Sequence, residues 1–140
     1  MNKEKNSPRP QKLSGISVKL LEAYVYWQNN TKHIPKMLRH SMGVRIDTLF
    51  AEIVELTYIT MFTTLDKRLI FINKANLKND LLKFMLNALF ELKGIKEDVF
   101  IEISLKMEEV GRLLYGWKNQ VERQNQNGSV QTEPLEKDKK

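Results

Sequence analysis

The stretch Glu108–Val121, EEVGRLLYGWKNQV, repeats its apolar side chains at helical spacing and yet contains two glycines, Gly111 and Gly116. A glycine inside a helix costs about 1 kcal/mol relative to alanine, so each calls for something that a side chain would obstruct. Extended upstream, the pattern becomes a seam. Phe100, Ile103, Met107, Val110, Leu114, Trp117 and Val121 follow spacings of 3, 4, 3, 4, 3 and 4, the repeat by which a bundle helix faces its neighbours. Gly111 lies beside that seam, where the missing side chain lets a neighbouring helix come close. Gly116 falls roughly opposite Leu114, on an outer face with Arg112, Leu105 and Ile101. Apolar side chains around a flat glycine predict that this outer face is covered by something else.

Three further helices precede this one. The first runs from about Ser14 to Thr31, with Ile16, Leu20, Tyr24 and Trp27 at helical spacing. Pro35 suits the first turn of a second, where its missing N–H is harmless; that helix runs to about Phe62 with Met42, Ile46, Leu49, Ile53, Leu56 and Thr60 inward. Thr64 with Asp66 opens a third, which Gly94 terminates, and Lys96 to Glu122 makes the fourth. No segment alternates as a strand would. Short connections between long helices favour antiparallel neighbours, so the expected fold is all-α, an antiparallel up-down-up-down four-helix bundle over residues 14–122. Residues 1–13 form a basic tail and 123–140 a polar one; both are expected to be disordered, because neither carries the apolar area to offset the entropy of ordering.

The third helix is more apolar than one core requires. In LLKFMLNALFEL, Leu81 to Leu92, nine of twelve residues are apolar, and Lys83, Asn87 and Glu91 form one narrow polar stripe at i, i+4 and i+8. Burial this extensive predicts a second interface, with another subunit or a partner. Leu86 and Phe90 on the third helix, with Leu105 and Gly116 on the fourth, are the candidate residues of a homo-oligomer interface.

Little catalytic chemistry is on offer. The absence of cysteine excludes disulfides, thiol catalysis and cysteine zinc sites. His33 and His40 are the only histidines, and seven residues of helix separate them by about 10.5 Å of rise, too far for one metal ion. No phosphate-cradling glycine loop or hydrolase pattern is present. Small helical ribonucleases of the HEPN class are similar in size and topology, but their arginine is followed four to six residues later by histidine, a spacing missing here. The reading is a non-enzyme with no metal and no cofactor. A polar start and no long apolar run predict a soluble, cytoplasmic protein without a membrane span.

Charge is what remains. The formal net charge is +6, and residues 1–45 hold nine Lys or Arg against Glu4 and Glu22, so the first third carries the whole basic excess. KHIPKMLRHSMGVR, Lys32 to Arg45, contains Lys32, Lys36, Arg39 and Arg45 with no acid, and Lys74 with Lys78 adds an i, i+4 pair on the third helix. Such groups neutralise phosphates without reading bases, which makes these six the candidate nucleic-acid or polymerase contacts.

Three stretches then carry a likeness: RHSMGVRIDTLFAEIVEL from Arg39 to Leu56, NDLLKFMLNALFELK from Asn79 to Lys93, and the Glu108–Val121 segment. Over about residues 16–121 the chain resembles the accessory variability determinant (Avd) proteins of diversity-generating retroelements. These belong to a four-helix-bundle superfamily that includes the 23S rRNA intervening-sequence proteins. The order Arg39, Gly43, Arg45, Ile46, Asp47, joined to Val110 through Trp117, carries the resemblance; Tyr115 stands where glycine is usual and Leu113 where methionine is common. The resemblance implies a basic, barrel-like homopentamer that binds the retroelement reverse transcriptase and its template RNA and cDNA in mutagenic retrohoming. The alternative is a structural protein of the intervening-sequence type with no polymerase partner.

Overall fold

The computed structural model describes the backbone of residues 11–139 and the side chains of residues 15–127. Helix α1 spans Gln11–Asn30 and is followed by a 3-10 turn, Thr31–His33. Helix α2, over 36–62, comprises Lys36–Leu38, a π-helical turn at Arg39–Gly43, and Val44–Phe62. Helices α3, Leu65–Glu91, and α4, Glu97–Lys139, complete the fold, and no strand occurs among the described residues. The expected tail over 1–13 falls mostly outside the described residues, although α1 already begins at Gln11. At the other end, α4 does not stop at Glu122 but continues to Lys139. Val121 is the last buried side chain described, so the core ends where the sequence pattern ends. Helix propagation past that point needs only one backbone hydrogen bond per residue and no apolar face.

The core forms where the four apolar stripes meet. The predicted seam of α4 is buried at Ile103, Met107, Val110, Leu114, Trp117 and Val121, while Phe100 packs against its edge. From α1 come Ile16, Leu20, Ala23 and Trp27, and from α2 Ile46, Leu49, Phe50 and Ile53. Phe50 takes the place the pattern offered to Met42 and Leu56, which are only half-buried; its ring stacks on Tyr24 at 5.2 Å and on Trp27 at 6.2 Å. Burial of each such side chain contributes about 1.5–3 kcal/mol.

Helix α3 packs against α4 and α2, and α1 packs against α4 and α2, so α1 and α3 occupy opposite corners. Polar pairs tie the seams from outside. Lys83 Nζ lies 3.0 Å from Glu108 Oε1 between α3 and α4, and Lys19 Nζ lies 3.7 Å from Glu109 Oε1 between α1 and α4. Gln28 donates to the Asp47 carboxylate between α1 and α2.

The end of α3 differs from expectation in one respect. Gly94 is expected to terminate the helix, and the left-handed residue that a helix end commonly uses is Lys93 beside it, with φ 62°. The Lys93 N–H bonds to the Phe90 carbonyl at 2.8 Å and the Gly94 N–H to the Leu89 carbonyl at 2.8 Å, a Schellman closure displaced by one residue. Gly94 is required for space instead: a Cβ there would sit 2.3 Å from Leu89 Cδ1, within the core.

Gly111 is also explained by space. A Cβ would lie 3.0 Å from Nδ2 of Asn79, a fully buried residue on α3 whose amide reaches the Met107 carbonyl at 3.5 Å. We therefore expect Gly111→Ala to gain little or nothing in the native background, because the helix-propensity gain is offset by displacing Asn79. Once Asn79 is cut to alanine, the same change should stabilise by about 1 kcal/mol. Urea unfolding of the four-member cycle measures this coupling, and additive effects would contradict the contact.

Candidate nucleic-acid interface

The Thr31–His33 turn and the start of α2 form one end of the bundle. Pro35 sits just before the first helical residue, and its carbonyl accepts the Arg39 N–H at 2.8 Å, which starts the helix. Lys32 and Lys36 are exposed at this end, and Arg45 is exposed further along α2. Arg39 is different. Its Nη2 donates to the Lys32 carbonyl at 3.1 Å and the Ile34 carbonyl at 3.0 Å, and its Nε is buried without a partner. The guanidinium is thus a clamp on the turn that presents Lys32, and it does not stand with Lys36 as a free phosphate contact. The sequence assigned it to the surface from helical spacing alone. Spacing does not reveal that the chain ahead of the helix folds back within reach.

The α3 pair also divides. Lys78 is half-buried with Nζ 3.2 Å from Glu52 Oε1, so its charge joins α3 to α2. Lys74 is exposed, with Nζ 5.7 Å from the centroid of the Phe71 ring. Because Lys78 is level with Glu52, Lys74 lies roughly 30 Å along the bundle from Lys36 at 1.5 Å per residue. The six predicted cations therefore make no single surface. Lys32, Lys36 and Arg45 lie toward one end, Lys74 stands apart, and Arg39 and Lys78 have structural partners.

Two cations at the same end were missed. Lys93 and Lys96 flank Gly94 in the α3–α4 connection, and with His33 and Pro35 they border a cleft of about 640 Å³. The run KGIK carries the signal, two lysines set around a helix-ending glycine in the α3–α4 connection. Among the described residues, none of Lys32, Lys36, Arg45, Lys93 and Lys96 takes part in an ion pair.

The proposed oligomer residues are similarly sorted. Leu86 is 1% exposed, inside the subunit's own core, which rules it out as a contact to another subunit. Phe90 is half-buried and stacked on Phe100 at 4.5 Å. Leu105 is 61% exposed, and Gly116 has nothing within 4 Å of its Cβ position, so both lie open on the outer face. The apolar excess of α3 is carried instead by Ile70, Leu77, Leu81 and Phe84, all exposed, with Leu77 and Phe84 at 69%. These residues, with Lys74, follow spacings of 4, 3, 4 and 3, a second seam facing away from the core. On the opposite corner Val18, Leu21 and Val25 form an exposed apolar strip along α1.

No helix among the described residues is long and apolar enough to cross a membrane. No family model, curated protein or solved structure matches the chain.

The clamp assigned to Arg39 separates two substitutions that the sequence treated alike. Arg39→Ala should destabilise by about 1–3 kcal/mol, since it leaves two carbonyls without their donor, whereas Lys36→Ala should stay within about 0.5 kcal/mol. Thermal melts followed by circular dichroism check the pair; equal effects would remove the distinction.

Proposed function

We propose that the chain is a non-catalytic accessory protein of a diversity-generating retroelement, binding the reverse transcriptase and its template RNA and cDNA. The motif resemblance supplies the identity of the partners. The observation that carries the binding role is the exposed set Lys32, Lys36 and Arg45, none in an ion pair among the described residues, with Lys32 on the turn that Arg39 clamps and Lys36 and Arg45 on α2. Arginine and lysine held at one end of a rigid scaffold give a positive field without base-reading geometry, which suits contacts to phosphate backbone.

The reading includes an antiparallel up-down-up-down bundle. Its support is the cross-helix register: Asn79 meets Met107 while Phe90 meets Phe100, and Gln28 meets Asp47 while Leu21 and Tyr58 border one groove. In each pair of helices residue numbers rise on one as they fall on the other. It also includes a cytoplasmic homo-oligomer, a pentamer by resemblance. The exposed seams on α3 and α1 support association, because contiguous apolar strips on a small helical chain favour burial against a second surface.

The reading requires a retroelement reverse transcriptase gene beside this one; co-expression with that polymerase should yield a complex that survives purification, and absence of the gene, or failure to co-purify with and without template RNA, would overturn the polymerase role. Replacing Lys32, Lys36 and Arg45 together by alanine should flatten the slope of log affinity against log salt by about 2 for single-stranded RNA, roughly 0.7 per lost phosphate contact. Unchanged affinity at both low and high salt would remove this end as the nucleic-acid surface.

The oligomer is tested by contrasting two sites on α3. Phe84→Glu should reduce particle mass by light scattering with helicity intact, because the side chain lies outside the fold. Leu86→Glu should unfold the subunit, since an unpaired charge in the core costs several kcal/mol. A wild type that is monomeric at tens of micromolar would end this part of the reading.

A further inference from the structure

The α3–α4 connection holds a lysine where a glycine would be more stable. Lys93 sits at φ 62°, in the left-handed region where a Cβ costs about 1–2 kcal/mol. Its place in the Schellman closure is the one glycine ordinarily fills, and the next residue is a glycine that does not use that conformation. Strain retained at an exposed backbone position points toward function, because nothing in the packing rewards this side chain.

What the strain achieves is placement. Lys93 and Lys96 border the end cleft of about 640 Å³, a volume within the range of small-ligand sites. Asn30 at the end of α1 and His33 in the turn after it border the cleft, and Phe90 and Ile95 give it an apolar wall. Phe90 is braced from behind by its stack on Phe100 at 4.5 Å. Two acids also border the cleft. Asp98 uses Oδ1 to accept the Val99 N–H at 2.9 Å, Glu91 is exposed, and neither is within ion-pair reach of Lys93 or Lys96. Lys32 and Lys36 lie at the same end, so four lysines stand there against three acids, Glu91, Glu97 and Asp98.

We propose that this cleft receives one nucleotide of a single-stranded nucleic acid, its phosphate against Lys93 and Lys96 and its base against the Phe90 and Ile95 wall. The inference rests on the nucleic-acid reading above and gives it a specific anchor: lysines at Lys32 and Lys36 track the backbone, and the cleft holds one splayed base. A duplex keeps its bases stacked and cannot enter, so the site selects single strands.

The test uses the unusual conformation of Lys93. Lys93→Gly removes the cation and also relieves the strain, so the full-length variant should melt at the same or a higher temperature and yet bind a labelled eight-nucleotide RNA at least fivefold more weakly at 50 mM salt. Lys96→Gln should act in the same direction. Adenosine monophosphate should compete for the wild-type site at millimolar concentration, ribose 5-phosphate should compete several-fold less well, and a blunt RNA duplex should not show the Lys93 dependence. If Lys93→Gly and Lys96→Gln bind the RNA as wild type does, while the Lys32, Lys36 and Arg45 variant is weakened, the cleft is not the anchor and the broader reading stands. If wild type binds no RNA at any salt, both fall. Equal competition by ribose 5-phosphate removes the base from the site, and binding of adenosine monophosphate with no binding of RNA reassigns the cleft to free nucleotides; either result overturns the proposal.

Discussion

The close approach of α3 to α4 at Asn79 and Gly111 is the contact on which the rest of the arrangement depends. Asn79 is the one amide buried in the core among the described residues, and its Oδ1 has no partner. A buried amide of this kind tolerates few alternatives: sliding α3 along α4 by one turn would place it against a side chain in place of the gap at Gly111 and the Met107 carbonyl. An apolar residue in its place would pack in several registers, whereas the amide favours one, as a polar residue in a helical seam commonly does. With that register set, Lys83 meets Glu108 on one side and Phe90 meets Phe100 at the end. The cleft at the end inherits its shape from the same alignment.

Much of this was legible because the core is read by periodicity, and periodicity is a property of the sequence. The α4 seam from Ile103 to Val121 is buried as its spacing predicts, and Gly111 makes room for a neighbour as its place beside that seam predicts. The assignment of faces on α3 failed for a related reason. That helix carries two apolar seams, Ile72, Ala75, Leu82, Leu86 and Leu89 inward and Ile70, Leu77, Leu81 and Phe84 outward, and periodicity identifies a stripe without saying which way it points. Spacing alone places Leu86 equally well on either face, and burial places it inward. Asn79 lay on the inward stripe all along, but a polar residue is easily counted as the solvent side.

The cationic residues were harder to read because charge has two uses that look alike in sequence. Arg39 and Lys78 are held by partners far along the chain or across a turn: two carbonyls before the helix in one case, Glu52 on another helix in the other. Lys32, Lys36 and Arg45 have no such partner among the described residues. The distinction is tertiary, and no local pattern carries it. Lys93 was hidden for the opposite reason, since the adjacent Gly94 satisfied the expectation of a helix-ending glycine and drew attention from the residue that takes the left-handed conformation.

The positions of the exposed apolar strips on α3 and α1 constrain the assemblies that would cover both. One strip runs along α3 and the other along α1, and these helices occupy opposite corners of the bundle. A two-fold contact pairs a patch with itself, so it would cover one strip in each copy and leave the other in water. A head-to-tail contact joins the α3 strip of one copy to the α1 strip of the next and leaves neither bare, provided that the chain of copies closes into a ring. The side chains suit such a pairing: Phe84 and Leu77 are large and protruding, while α1 presents the smaller Val18 and Val25 beside the groove bordered by Leu21, Val54 and Tyr58. The end of the bundle that carries Lys32, Lys36, Lys93 and Lys96 lies on neither strip. In a ring built this way every copy would turn that end toward the same rim, and the cations would repeat around it, so that one strand could meet several of them in succession at an effective concentration set by the ring itself.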